Sequence, residues 1–110
     1  MAVVNKYASV RTLILLRHGQ TEWHAADRMQ GQIDTDLTEL GRRQAKEAAR
    51  ELVSRNAIAI VSSDLRRAFD TASALAEHTA LDVVPDQRLR ETDLGDWEGL
   101  THLEVDADYP

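Results

Sequence analysis

The sequence predicts an α/β fold in which the strands of a parallel sheet alternate along the chain with helices. Two apolar runs, TLILL at residues 12–16 and AIAIV at residues 57–61, have the composition of strands that are buried on both faces. Apolar residues recur at helical spacing between and after these runs, and a third short strand is predicted at Val83-Val84. This β-α-β-α-β order favours right-handed crossovers between parallel strands.

The boundaries of the helices are predicted from capping residues. The first long helix should begin after Thr38 and end near Asn56, because these residue types are common at the two ends of helices. Residues 62–64, SSD, are the N-cap candidates for the second helix. Residues 101–104, THLE, have capping-box form and predict another helix start. Residues 1–11 are expected to be flexible or irregular.

Composition limits the classes of function. With 110 residues, the chain is predicted to form one domain or part of one. A formal net charge of -6 argues against binding to nucleic acid or to an anionic membrane surface. The sequence has no cysteine, no signal-like apolar stretch and no run long enough to span a membrane. We therefore expect a cytoplasmic protein. The negative charge is compatible with a small anionic ligand, because a few arginines in one pocket can oppose the overall field.

Polar residues follow each predicted strand, and these segments predict the functional site. Parallel strands present their carboxyl ends at one edge of the sheet, where ligands of such folds bind. The residues that this edge should collect are Arg17 and His18 after the first strand, Arg67 after the second and Glu91 after the third. His24, Arg28 and Gln30 could reach the same edge if the loop over residues 17–36 folds back.

These residue types predict phosphoryl chemistry. Two arginines can hold a phosphoryl group and spread its charge, and their field keeps a neighbouring histidine neutral and nucleophilic. His18 could then attack phosphorus, while Glu91 protonates the leaving oxygen and later deprotonates water. This cycle requires neither a metal nor a cofactor, and no histidine or carboxylate spacing in the sequence predicts a metal site.

The chain resembles the histidine phosphatase superfamily, in the branch that includes the cofactor-dependent phosphoglycerate mutases. The resemblance lies in motifs that occur in fixed order from Leu13 to about Glu104. The matching positions include Arg17-His18-Gly19, Thr21-Glu22, Arg28, Gly31, Leu37-Thr38, Gly41, Gln44-Ala45, Ser62-Ser63-Asp64-Leu65, Arg67-Ala68, Thr71-Ala72, Arg88-Leu89, Glu91, Gly95 and Trp97-Glu98-Gly99. Within the branch, residues 90–108 look more like the phosphatases than the mutases.

The resemblance implies a fold and a set of roles. The fold would be the three-layer αβα arrangement of the phosphoglycerate mutases, with a mainly parallel sheet, truncated here. His18 would be the phosphorylated nucleophile and Glu91 the proton donor. Phosphate would be bound by Arg17 and Arg67, with Gln30 in the pocket and His24 at the position where the family usually has an asparagine that contacts the phosphate.

The family also has a second catalytic histidine, in a His-Gly pair after a later strand, which these 110 residues do not contain. We therefore interpret residues 1–110 as the N-terminal part of one histidine phosphatase domain. The chain by itself is expected to be weakly active or inactive. An incomplete sheet should also expose an edge and apolar surface, which favours a homodimer or other self-association.

Three hypotheses for function remain open at this point. The first is a phosphatase acting on a small phosphomonoester, of the sugar phosphate or phosphoglycerate type, through a phosphohistidine at His18. The second is a phosphoglycerate mutase, which returns the phosphoryl group to its intermediate instead of to water. The third is a non-catalytic fragment that binds phosphate or self-associates.

Overall fold

The computed structural model describes residues 12–91, 95, 98–101, 103–104 and 107, together with the backbone of residues 2–5. Its strands are β1 (Ala2–Asn5), β2 (Leu13–Leu15), β3 (Ala57–Ser62) and β4 (Val83–Pro85). Its helices are α1 (Glu22–Ala25), α2 (Glu39–Leu52) and α3 (Arg66–Ala76). Short 3₁₀ segments, Val53–Arg55 and Gln87–Leu89, follow α2 and β4.

The four strands form one sheet in the order β2-β1-β3-β4. β3 and β4 pair in parallel, whereas β1 pairs antiparallel with both β2 and β3. The three strands predicted from the sequence therefore run in the same direction, which confirms the α/β fold class. The position of β1 between two of them was not predicted.

The expectation that residues 1–11 are flexible or irregular is wrong for Ala2–Asn5, which form β1. Residues 1 and 6–11 lie outside the described part of the chain. This segment, AVVN, contains two adjacent β-branched valines, a residue type that favours extended backbone. Its backbone also has partners on both sides, because β2 and β3 offer hydrogen-bonding edges on either side of it. Pairing with distant strands thus orders a stretch that carries only a weak local signal.

One face of the sheet packs against the two long helices. The centre of the core is a cluster of buried side chains from α2, β3 and α3: Ala49, Ile60, Ala72 and Leu75. Ile14 of β2 and Val83 of β4 pack against this cluster. The alanines keep both helices close to the sheet, and the site residues are therefore attached to a fixed framework.

The opposite face of the sheet is open in the described part of the chain. Leu15, Val61 and Val84 share this face by strand register, and Leu15 and Val84 are 77% and 54% exposed. Leu13, two residues before Leu15, is 63% exposed. The expectation that TLILL is buried on both faces is therefore wrong here, because no described element covers this side.

The predicted cap of α2 is confirmed, and that of α3 is not. The Thr38 hydroxyl accepts a hydrogen bond from the Gly41 N–H, and α2 runs on through its 3₁₀ segment to Asn56 in the left-handed conformation. The N-cap of α3 is Leu65, which makes no side-chain capping bond. Instead, Asp34 accepts from the Arg66 N–H at 2.7 Å, so a carboxylate from a distant loop serves as the cap.

The last described residues follow the predicted pattern at Thr101, whose hydroxyl accepts from the Glu104 N–H at 3.2 Å. Several residues of that predicted helix, among them residues 105–106 and 108–110, lie outside the described part of the chain. Within the described residues, all helices are too short or too polar to cross a membrane.

Candidate active site

The strand ends bring four of the sequence-predicted site residues together. Arg17 and His18 follow β2, Arg67 lies in the first turn of α3 after β3, and Glu91 follows β4 and its 3₁₀ segment. All four line one cavity of about 170 Å³. The convergence predicted from the parallel strand order is therefore present in the structure.

His18 is largely enclosed in this cavity. Its imidazole is 9% exposed, against 57% for the Glu91 side chain. The ring Nδ1 lies 2.7 Å from the Gly19 carbonyl oxygen. Because a carbonyl only accepts, Nδ1 carries the proton in the neutral ring and Nε2 is the nitrogen with the free electron pair. That Nε2 lies 3.9 Å from Glu91 Oε1.

The surroundings of His18 favour its neutral form. Burial of the ring is the main cause that lowers the pKa of His18 below its ordinary value of 6.5, and the positive charges of Arg67 and Arg17 add to this effect. The hydrogen bond to Gly19 and the Glu91 carboxylate oppose it. The result is a neutral imidazole at pH 7, which is the form that can attack an electrophile.

Arg67 is 1% exposed, and its guanidinium is hydrogen-bonded to the loop over residues 31–35. Its Nη1 donates to the Ile33 carbonyl at 2.5 Å and to the Thr35 hydroxyl at 3.3 Å, and its Nη2 donates to the Gly31 carbonyl at 2.6 Å. Burial lowers the pKa of Arg67, and nearby carboxylates oppose this effect. Arginine stays charged in proteins, so the guanidinium is a fixed positive charge beside His18.

His24 lies in a different cavity from Glu91 and Arg67. This second cavity, of about 300 Å³, is lined by Arg17, His18 and His24 together with Gln20 and Gln44. Arg17 and His18 line both cavities and so lie between them. Arg17 is exposed, as is His24, which lies in the one-turn helix α1.

Gln30 lines neither of these two cavities. Its side-chain carbonyl accepts hydrogen bonds from the hydroxyls of Thr21, at 2.5 Å, and Thr35, at 2.7 Å. Thr35 in turn accepts from Arg67. The structure therefore places Gln30 in the network that supports the Arg67 loop. Arg28, the other candidate from this loop, donates to the Gly99 carbonyl and forms an ion pair with Glu104.

The position of Glu91 is fixed by its neighbour in sequence. Arg90 forms a bidentate pair with Asp64, in which both N···O distances are 2.6 Å. Since Asp64 follows β3, this pair ties the chain segment of Glu91 to the second strand end. The hydrogen bond with Arg90 lowers the pKa of Asp64. Among the described residues, no group of three or more histidines and carboxylates is arranged to hold a metal ion.

Sequence reasoning missed three residues that support the site. Thr71 of α3 accepts from the Gly19 N–H, Gln44 of α2 accepts from the Gln20 N–H, and Asp34 caps α3. Each contact joins residues far apart in sequence, so no local pattern could predict it. The only signal was that Thr71 and Gln44 belong to the motifs that carry the family resemblance.

This fold and this site fit the class of phosphoryl-transfer proteins that use a histidine. The comparison with family models agrees: the model of the histidine phosphatase superfamily (branch 1) matches residues 13–110. The chain belongs to this superfamily.

Individual relatives and solved structures lie in the same family. A glucosyl-3-phosphoglycerate phosphatase of Mycolicibacterium vanbaalenii is 62% identical over 101 residues, which cover 92% of this chain and 45% of that protein. A solved mycobacterial glucosyl-3-phosphoglycerate phosphatase, in complex with VO3, is 62% identical with a TM-score of 0.84 and covers 86% of this chain and 46% of that one. A probable phosphoglycerate mutase of Proteus mirabilis is 48% identical over 81 residues, 74% of this chain and 38% of that protein. The chain thus spans less than half the length of these relatives.

Proposed function

We propose that this chain carries the nucleophile and the phosphate-binding residues of a phosphatase that hydrolyses a small phosphomonoester. The observation that carries the proposal is the cavity shared by Arg17, His18, Arg67 and Glu91, with the unprotonated Nε2 of His18 facing the Glu91 carboxyl at 3.9 Å. The similarity to glucosyl-3-phosphoglycerate phosphatases supports a substrate of the sugar phosphate or phosphoglycerate type.

The proposed reaction has two steps. His18 Nε2 attacks phosphorus, and the bond from phosphorus to the leaving oxygen breaks while Glu91, as the acid, donates a proton to that oxygen. Water then attacks the phosphohistidine, the P–N bond breaks with its electrons returning to Nε2, and the Glu91 carboxylate takes the proton of the water. Arg17 and Arg67 counter the charge on the phosphoryl oxygens in both steps. His24, which lines the second cavity with Arg17 and His18, is proposed as a secondary phosphate contact. The resemblance implies that Gln30 lies in the pocket, and we propose that it acts there indirectly, through Thr35 and Arg67.

The test is detection of the covalent intermediate. Protein incubated with p-nitrophenyl phosphate or a phosphorylated sugar acid should gain an acid-labile phosphoryl group on His18, found by mass spectrometry of peptides. His18→Ala should abolish this label. His78→Ala is the matched control, because His78 is an exposed histidine beyond the end of α3. A label that persists in His18→Ala would show that another residue is the nucleophile.

A mutase remains the second candidate because a probable phosphoglycerate mutase also matches this chain. The two activities differ in the acceptor of the phosphoryl group. With a monophosphoglycerate as substrate, a phosphatase releases inorganic phosphate, whereas a mutase moves the phosphoryl group to another hydroxyl. Product analysis by ³¹P NMR separates them.

We also propose that the chain self-associates through β2, as a homodimer. β2 is at the edge of the sheet, and no described strand pairs with its outer side. Two copies related by a two-fold axis could pair these edges antiparallel and bring together the exposed Leu13 and Leu15 of each copy. Sedimentation analysis should show a dimer that dissociates in Leu13→Lys/Leu15→Lys. A monomeric parent chain at high concentration would contradict this proposal.

A further inference from the structure

The two peptide units that flank Gly19 are each held by a side chain from a different helix. The Gly19 N–H, in the peptide unit shared with His18, donates to the hydroxyl of Thr71 on α3 at 3.1 Å. The Gln20 N–H, in the next peptide unit, donates to the side-chain carbonyl of Gln44 on α2 at 2.9 Å. The backbone that follows His18 is thus fixed from both helices.

Thr71 is suited to this contact because its hydroxyl is already oriented. The residue is 2% exposed, and its hydroxyl donates to the Arg67 carbonyl of the preceding turn at 2.7 Å. The hydroxyl proton is therefore committed, and the oxygen presents a lone pair to the Gly19 N–H. Ser73, on the same helix, donates in the same way to the Phe69 carbonyl at 2.8 Å. Of these two residues of α3, Thr71 alone combines this bond with a contact to the loop of His18.

The fixed backbone acts on the imidazole of His18. Its Nδ1–H donates to the Gly19 carbonyl, which belongs to the same planar peptide unit as the Gln20 N–H held by Gln44. Fixing this N–H therefore fixes the direction of the carbonyl. A carbonyl held in that direction keeps the proton on Nδ1 and leaves Nε2 unprotonated toward Glu91.

We propose that Thr71 and Gln44 are positioning residues that set the tautomer and the orientation of His18 through the backbone of Gly19. The consequence for reactivity rests on the proposed function, in which His18 Nε2 attacks phosphorus. The effect on the tautomer and orientation of the His18 ring does not depend on that function, because it can be observed in the protein without substrate.

The test combines a spectroscopic readout with a rate. In ¹⁵N NMR at about pH 7.5, where neutral histidine predominates, His18 should show a protonated Nδ1 and an unprotonated Nε2. Thr71→Val keeps the shape but removes the hydroxyl, so we expect a mixture of both tautomers and about tenfold slower phosphorylation of His18 by p-nitrophenyl phosphate. Thr71→Ser should restore both properties. Ser73→Ala, which removes the equivalent bond without a loop contact, should change neither.

Gln44→Met is the second variant, at an exposed position of α2 where the substitution should not impair folding. It should also shift the tautomer ratio of His18. If Thr71→Val does not fold, as judged by circular dichroism, Gln44→Met decides alone. An unchanged His18 spectrum in every folded variant of this pair would overturn the inference. Absence of phosphohistidine in the parent chain would instead refute the proposed function, and the NMR comparison would still test the positioning role.

Discussion

Replacing Arg67 with methionine should lower the free energy of unfolding by about 3 kcal/mol. The guanidinium is buried and donates to the carbonyls of Gly31 and Ile33 at 2.6 and 2.5 Å. Methionine fills much of the same space but donates no hydrogen bond. The two carbonyls would then lose their charged partner, and the loop that contains them would be attached to α3 only through Asp34, Asp36 and Arg66 among the contacts described here.

The magnitude follows from these two bonds. A hydrogen bond to a charged group contributes roughly 1.5–3 kcal/mol to stability, so two of them contribute about 3–6 kcal/mol. Removing a buried charge recovers part of its desolvation cost, which places the net loss near the lower limit of this range, at about 3 kcal/mol. The bond to Thr35 is longer, at 3.3 Å, and adds little.

Urea-induced unfolding of Arg67→Met measures this loss. The control is the same substitution at the adjacent residue, Arg66→Met. Arg66 is exposed. Its guanidinium pairs with Asp34 and Asp36 at 3.3 Å each and donates to the Asp34 carbonyl at 2.9 Å. Arg66→Met should therefore cost about 1 kcal/mol or less. Equal losses for the two substitutions would refute the assignment of Arg67 as the anchor of the loop. In the folded Arg67→Met protein, the pKa of His18 should also rise, because one of the charges that lowers it is gone.

Three further predictions concern the loop after His18, the segment of Glu91 and the histidine itself. Gly41→Ala would place a methyl group in steric conflict with the Gln20 carbonyl, so the free energy of unfolding should fall by about 2 kcal/mol. Thermal unfolding measures this loss, and a variant as stable as the parent would contradict the close packing of α2 against the loop at Gln20. Since Arg90 lowers the pKa of Asp64 below its ordinary 3.8, the pair stabilises the fold above that pH and ceases to do so as the pH falls through the lower folded value. Arg90→Gln should therefore reduce the loss of stability at acidic pH, measured by unfolding at several pH values. The same pH dependence in the variant and the parent would exclude the pair as its source. The lowered pKa of His18 means that its contribution to stability is complete above pH 6.5 and is lost as the pH falls through the folded value. An NMR titration should therefore give a midpoint below 6.5, and a midpoint at or above it would contradict the burial of the ring.

The central site could be predicted from the sequence because it depends on strand order. A polar residue that directly follows a buried parallel strand lies at the ligand-binding edge of the sheet, independently of the conformation of the loops. Arg17 and His18 follow β2 in this way, and Arg67 and Glu91 lie one short segment beyond β3 and β4. Their convergence in one cavity confirms this reasoning.

The supporting contacts could not be predicted, because they join segments that the sequence pattern treats as independent. Asp34 caps α3 from a loop, and Gln30 joins Thr21 to Thr35. Such contacts depend on how the loop over residues 17–36 folds, and polar loop residues carry no periodic signal. β1 is a similar case, since the strand depends on two partners that are distant in sequence.

The structure also separates two arginines that the sequence treats alike. The bonds of Arg67 to Gly31, Ile33 and Thr35 use three of the five N–H hydrogens of a guanidinium, which leaves at most two for a phosphate. Arg67 is therefore a rigid charge, already in place before any ligand arrives. Arg17 is exposed and lines both cavities, so its side chain can adjust to a ligand. In the proposed reaction, the fixed charge of Arg67 therefore adds to the burial that keeps His18 neutral. The charge of Arg17 would move with the phosphoryl group, so one arginine would provide preorganisation and the other binding.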